Sequence, residues 1–274
     1  MLNRYTWRTG VLEIVMIAVA IVFFIPVYVL LNLSFRESND PAGPLALPST
    51  FTLQNYADAW VQGHLGNALV NSAVVTVVSV LGLVVCASLA AYPLARVGRG
   101  WSKALYFTFL VGLLLPFQLA LIPLYTTMRD IGLLGSVWGL VLYYVGLQMP
   151  FSIFLYTGFL RVVPLEYEEA AAIDGAGALG TFWRIVFPLL RPITGTVVIL
   201  NVVTIWNDFL TPLLYLSGSG QQTIPVTLYS FVGQYVSQWN LVFAGLVISI
   251  APILIVYFIL QKTVIQGFAS GLKG

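Results

Sequence analysis

Six stretches of the chain are apolar for about twenty residues or more, at 11–33, 68–94, 103–125, 136–159, 193–216 and 241–260. A helix needs about 20 such residues to cross roughly 30 Å of hydrocarbon, so the pattern predicts six membrane-spanning helices. The first carries one charge, Glu13, and follows Arg4 and Arg8 in the manner of a signal peptide. Its apolar run exceeds the usual signal core of about 7–15 residues and no small-x-small cleavage site follows it, which predicts a retained anchor. Pro26, Pro116, Pro212 and Pro252 fall inside the runs. Neighbouring helices satisfy the carbonyls that proline frees in a membrane, so kinked spans are expected.

The connections differ in charge. With the N-terminus inside, the inner segments hold Arg4, Arg8, Arg96, Arg99, Lys103, Arg161, Arg184, Arg191, Lys262 and Lys273, and the outer ones only Arg36 and Arg129. Positive charge stays on the cytoplasmic side, so both termini are expected there. The first outer loop, 34–67, is polar and contains Asp58 and His64. The third, 217–240, opens on Ser217-Gly218-Ser219-Gly220; beyond Pro225, Leu228, Phe231, Val232, Tyr235 and Trp239 recur at helical spacing. That spacing predicts a helix lying in the outer interface or packed on the bundle.

Composition narrows the function classes. Of 274 residues, 59% are hydrophobic and 8% charged, with a mean hydropathy of +0.93. An ordinary soluble domain is about a quarter charged, so a soluble enzyme is excluded. A net charge of +2 without a basic stripe gives no electrostatic case for nucleic acid. The single cysteine, Cys86, and single histidine, His64, allow neither an internal disulfide nor a multi-histidine metal site. No reactive constellation remains for a membrane enzyme, and a non-catalytic subunit is expected.

Polar residues concentrate in the inner connection 161–192. Pro164 and the acidic Glu166, Glu168 and Glu169 suit the start of a helix, Ala170 to Ala172 continue it, and Asp174-Gly175 stops it in a tight turn. A second short helix, about 178–187, presents Leu179, Phe182 and Val186 on one side before Pro188. Gly175, Gly177 and Gly180 match G-x-G-x-x-G, but a helix rather than a strand precedes them, so no nucleotide site is expected. No Walker motif occurs, and ATP, if it drives the protein, binds another chain.

Glu169-Ala170-Ala171, then Gly175, Ile185 and Pro188, resembles the EAA loop of binding-protein-dependent ABC importer permeases at full spacing, with Phe187 in place of the usual Leu. Asn71-Ser72, Ala90-Ala91-Tyr92 with Ala95-Arg96, Trp206-Asn207-Asp208-Phe209 with Pro212-Leu213, Phe51-Thr52-Leu53 with Asn55-Tyr56, and the closing Gly271-Leu272-Lys273-Gly274 are similar to carbohydrate permeases of the maltose-importer G-subunit type. The resemblance implies an all-α integral membrane protein with the six-helix type I importer permease fold, a single domain over 1–274, in a bacterial or archaeal cell (inner) membrane. It implies a second permease subunit, two ATPase subunits that carry ATP and Mg, a solute-binding protein outside (extracellular or periplasmic), and a sugar substrate. No cofactor is expected on this chain. In this family the first EAA helix seats in a cleft on the ATPase, which implies a coupling set of Glu169, Ala170, Ala171, Asp174, Gly175, Ile185 and Pro188; the tail, with Gly271, Lys273 and Gly274, resembles the segment that reaches towards the ATPase pair in the maltose-type relative. A permease for glycerol phosphate or a polyol is the alternative within the family. A secondary transporter is the alternative outside it, and would leave the EAA loop without a role.

A translocation path must be polar, and polar groups in a bilayer face a cavity or another helix. Asn201, Thr204 and Asp208 fall at i, i+3 and i+7, with Asn207 and Thr211 beside them. This stripe, with Gln118 and Gln148, is the candidate pathway; interhelical hydrogen bonding is the competing role. Ser72, Thr76 and Ser79 share a face that reads as packing, and Trp206 and Tyr143 are candidates for stacking on a sugar ring.

Overall fold

Apolar runs this long form helices because an apolar solvent leaves backbone amides no partner but each other. The computed structural model describes residues 6–38, 40–234 and 238–271, with side chains omitted at 230–234, 260 and 262–271. In chain order the helices are α1 (Trp7–Ser34), α2 (Gln54–Gln62), α3 (Leu65–Arg96), α4 (Gly100–Leu114), α5 (Phe117–Asp130), α6 (Val137–Leu160) and α7 (Glu166–Ile173). There follow α8 (Ala178–Thr181), a π-helical turn (Phe182–Val186), α9 (Phe187–Leu189), α10 (Arg191–Asn207), α11 (Leu210–Tyr215), α12 (Ile224–Gln234) and α13 (Trp239–Gly271). Among the described residues the only extended pairing is an isolated bridge between Arg36 and Phe51, so the all-α expectation holds.

Predicted spans one, two and six each lie within one long helix, α1, α3 and α13, and span four matches α6 to within one residue, all four helices long and apolar enough to cross a membrane. Thr6 and Thr9 start α1 with a reciprocal cap in which each side chain accepts from the other's backbone N–H. The third and fifth spans differ from expectation. Residues 103–125 are not one helix: α4 ends at Leu115 and α5 leaves at 102° to it. Leu115 precedes a proline, whose ring drives it out of the helical region, and it adopts φ −79°, ψ 124°. The 15 residues of α4 rise only about 22 Å, short of a full crossing. Residues 193–216 are also interrupted, because α10 ends at Asp208, which is extended at φ −68°, ψ 126°, before α11 resumes at Leu210. A second bend lies at the start of α10, where 178–189 meets it at 74°.

Backbone contacts group into two units, 1–66 with 227–251, and 67–226 with 252–274. In the first, the loop after α1 is organised by buried polar groups. The Arg36 guanidinium donates to the carbonyls of Ala42 and Ala46 and lies 3.7 Å from Asp40, while Asn32 donates to the carbonyls of Pro44 (2.7 Å) and Ala46 (2.8 Å). Asn55 of α2 donates to the carbonyls of Ser34 and Arg36 and accepts from Asn240 at 2.7 Å. Asp40 accepts from the backbone N–H groups of Ser49 and Ala42, and these bonds, with Arg36 nearby, hold its carboxyl below the usual carboxylate range.

The second unit carries the larger core. Leu83, Ala87, Ala91 and Leu94 recur every three or four residues on α3, and Ile153, Tyr156 and Leu160 do so on α6, all of them buried. Tyr143 packs against Tyr215 at 5.1 Å between ring centres, and Tyr125 meets Tyr215 edge-on at 6.0 Å. Other apolar residues of α3 and α4 are exposed, as at Val77, Leu81, Phe107 and Val111, as expected of surfaces in contact with lipid. The small side chains predicted to pack on α3 do so: Ser72, Thr76 and Ser79 are buried. Ser72 accepts from the Ile224 backbone N–H at 2.8 Å, and Asn71 donates to the Gln222 carbonyl at 3.1 Å. The helix predicted after Pro225 is present as α12, with Leu228 buried; Tyr235 lies outside the described residues.

Two outcomes are expected. A Cβ on Gly139 would lie 2.3 Å from the Leu133 carbonyl oxygen, so Gly139→Ala should destabilise the detergent-purified protein by about 1–3 kcal/mol, read as a lowered thermal midpoint, while Gly146→Ala in open space on the same helix should not. Because the Asp40 carboxyl is depressed, its stabilisation is complete above its ordinary value of 3.8 and lost as pH falls through the lowered value. Pepsin should therefore open residues 40–49 only at the acid end of a titration from pH 5 to pH 2, and should cut Asp40→Ala across the whole range.

Candidate functional site

The connection 161–192 forms a two-helix projection. Glu166, Glu168 and Glu169 sit in the first turn of α7, against the positive end of its dipole. The helix is stopped by a Schellman pair: the Ala176 N–H donates to the Ala171 carbonyl and the Gly175 N–H to that of Ala172. Gly175 is left-handed at φ +80°, and a Cβ there would touch nothing within 4 Å, so the need for glycine comes from the backbone angle and not from packing. Of the EAA triplet, Ala171 is buried, while Glu169 and Ala170 are exposed, as is Asp174. Around this turn, Ile173 is 87% exposed and Leu179 70%, and Val162, ahead of α7, is 75% exposed. Apolar surface concentrated beside three carboxylates is the composition of a contact patch.

What anchors the projection is a neighbour of the expected glutamate. Glu168 receives the Arg96 Nε at 2.7 Å on one oxygen and the Tyr92 hydroxyl at 2.8 Å on the other, and Arg96 also donates to the Val163 carbonyl at 3.0 Å. The pair is largely buried, so α7 is tied to the last turn of α3 by charge-assisted bonds. Tyr92 also packs on Phe182, 5.4 Å between centres, and Phe182 touches Trp183 and Phe187. Phe182 and Val186 are buried as predicted, but Leu179 is not, because α8 is a single turn at the exposed tip. Ile185 and Pro188 are half-buried along the π-helical turn and α9. In the tail, Gly271 ends α13, and Lys273 and Gly274 lie outside the described residues.

The second feature is a cavity of 710 Å³ between the α4–α5 break and the end of α10. It gathers Gln118, Gln148, Thr204, Asn207 and Asp208, five of the six predicted pathway residues, with Thr211 beside them. Asn201 is not among them: it is buried and donates to Ser152 Oγ at 3.3 Å and to the Val197 carbonyl at 2.8 Å, the interhelical role. Asp208 accepts from the Tyr144 hydroxyl at 2.9 Å and from the Thr211 N–H at 3.4 Å. Neither predicted stacking aromatic lines the cavity. Tyr143 is buried in the core and Trp206 lines an apolar groove with Val202 and Pro252, whereas Tyr144 and Phe117 line the cavity. Tyr143 and Tyr144 are adjacent in the sequence, and only the rotation of α6 separates their roles.

Comparison with known proteins places the chain in a family. A sequence profile described as binding-protein-dependent transport system inner membrane component matches residues 83–269, which include the 161–192 projection and all of the cavity lining. The melibiose/raffinose/stachyose import permease protein MelC of Bacillus subtilis is 36% identical over 96% of this chain and 97% of its own length. The multiple sugar-binding transport system permease protein MsmG of Streptococcus mutans is 36% identical over 98% of this chain and 96% of its own. A chain in the crystal structure of a bacterial ABC transporter involved in the import of the acidic polysaccharide alginate superimposes with a TM-score of 0.81 over 96% of this chain and 98% of that one, at 22% identity, so the fold is shared. A profile match over more than half the chain and near-full-length likeness to such permeases mean that this chain belongs to the family of binding-protein-dependent transport system inner membrane components.

Proposed function

We propose that the chain is one of two permease subunits of an ATP-driven sugar importer, that its 161–192 projection couples to an ATPase subunit, and that the 710 Å³ cavity belongs to the solute path. The projection carries the reading: a helix with an acidic start, stopped by a left-handed glycine, offers Glu169, Ala170 and the apolar Ile173 and Leu179 outward while Glu168 holds it to α3. Such a helix fits a groove on a partner, and small Ala170 permits close approach. Sugar as the substrate class is supported by relatives named for melibiose, raffinose and stachyose and for multiple sugars.

In this mechanism two ATPase subunits bind ATP and Mg and close on one another, and the projection transmits that movement through the Glu168–Arg96 bond into α3. The membrane helices then exchange inward-facing and outward-facing arrangements as rigid bodies. A solute-binding protein delivers the sugar from outside. The projection and both termini lie in the cytoplasm in this arrangement, with Asp174, Ile185 and Pro188 completing the coupling surface.

Two variants test the two halves of the reading. Gly175→Val forces a β-branched residue into the left-handed region, at about 1–2 kcal/mol, and should abolish ATP-driven uptake and weaken co-purification of the ATPase. Retention of both would remove the coupling role. Asp208→Ala should lower uptake at least several-fold while leaving ATPase co-purification intact; unchanged uptake kinetics would assign Asp208 a structural role.

A further inference from the structure

The lining of the cavity has an asymmetry of charge. Asp208 is the one carboxylate that lines it, and no lysine or arginine does. The carboxylate oxygens accept from the Tyr144 hydroxyl and the Thr211 N–H, which leaves acceptor capacity in a group that takes about four hydrogen bonds. Thr204 spends its proton on the Leu200 carbonyl and Asn207 donates one amide hydrogen to that of Val203, so both keep acceptor oxygens. The side chains of Gln118 and Gln148 have no hydrogen-bond partner among the described residues, and each offers both a donor and an acceptor.

We propose that this cavity selects neutral, hydroxyl-rich solutes, and that the Asp208 carboxylate bars anionic ones. The proposal rests on the importer reading and narrows its substrate class. A neutral sugar presents many hydroxyl donors, and the lining presents a majority of acceptors, with two amides to serve the sugar's own oxygens. A carboxylate, sulfonate or phosphate on the solute would bring a second negative charge into a site with apolar walls and no cation to offset it. Like charges repel strongly there, because the effective dielectric is far below that of water. The volume of 710 Å³ falls within the range of about 300–1,000 Å³ common for small-molecule sites. Glycerol phosphate is therefore disfavoured, and a polyol fits as well as a sugar.

The charge of the cavity can be read without knowing the natural solute. In the complete importer reconstituted in liposomes, with Cys86→Ser as background, Gln148→Cys and, separately, Gln118→Cys place a thiol in the lining. A cationic methanethiosulfonate should modify either thiol about tenfold faster, relative to the anionic reagent, than it does a small free thiol. Asp208→Asn should collapse that ratio and Asp208→Glu should keep it, which separates charge from folding. A neutral trisaccharide should slow modification, and its singly carboxylated analogue at the same concentration should not, except in Asp208→Asn. A ratio equal to that of the free thiol, a ratio untouched by Asp208→Asn, or equal protection by both solutes would each overturn the proposal. ATP-driven uptake of the neutral trisaccharide by the unmodified importer reads the parent function separately: uptake without the charge ratio sinks this proposal alone, whereas absence of uptake of any neutral solute sinks the importer reading and this proposal with it.

Discussion

The constraint on which this structure turns is that a backbone inside hydrocarbon must satisfy its own hydrogen bonds. Helices meet it for most of the chain. At Leu115–Pro116 and at Asp208–Phe209 they fail, and amides and carbonyls lose their helical partners. Irregular backbone at membrane depth survives only where protein buries it or where it lines a polar cavity. Both breaks do the latter: Leu115, Pro116 and Asp208 all line the same cavity. The Asp208 carboxylate also accepts from the Thr211 N–H in the first turn of α11, so the residue that ends one helix helps to start the next. The cavity is therefore a consequence of where the helices break.

A second requirement is mechanical. A projection of two short helices can transmit force only if it is stiffly joined to something long. The join is the Arg96–Glu168 pair with Tyr92 on its second oxygen, and α3, which carries both Tyr92 and Arg96, runs for 32 residues. A bidentate-like set of charge-assisted bonds on a largely buried carboxylate resists displacement more than an exposed ion pair does. The aromatic contacts of Phe182 with Tyr92 and Phe187 fix the second half of the projection to the same anchor.

How far the sequence revealed this depends on what each feature is made of. Hydropathy located α1, α3, α6 and α13 because it counts apolar residues, and those helices are uninterrupted. It could not separate Pro26 or Pro252, which lie inside continuous helices, from Pro116, which marks a break, since the difference lies in the backbone angle of the preceding residue. Periodicity put Asn201, Thr204 and Asp208 on one face, and the arithmetic fails at both ends: Asn201 turns to Ser152, and Asp208 is already out of the helix. Gln118 and Gln148 were found because an amide beside a proline in an apolar run has few alternatives to a cavity. In the projection, the motif spacing picked out Glu169 and Gly175, while the anchoring glutamate was invisible, because a contact 72 residues away leaves no local pattern.

Charge economy ties these features together. Among the described residues two ion pairs are buried, Arg36 with Asp40 and Arg96 with Glu168, and in both the cation also serves backbone carbonyls, so the cost of desolvation is spread over several bonds. Asp208 is different. Among the described residues it has no cation within ion-pair distance, only a hydroxyl and one backbone N–H. A carboxylate so placed is costly in an apolar surround and is sustained only when something polar fills the space in front of it. Its place in the lining of a cavity meets that condition, and anything that occupied the space would have to offer hydrogen-bond donors in its turn.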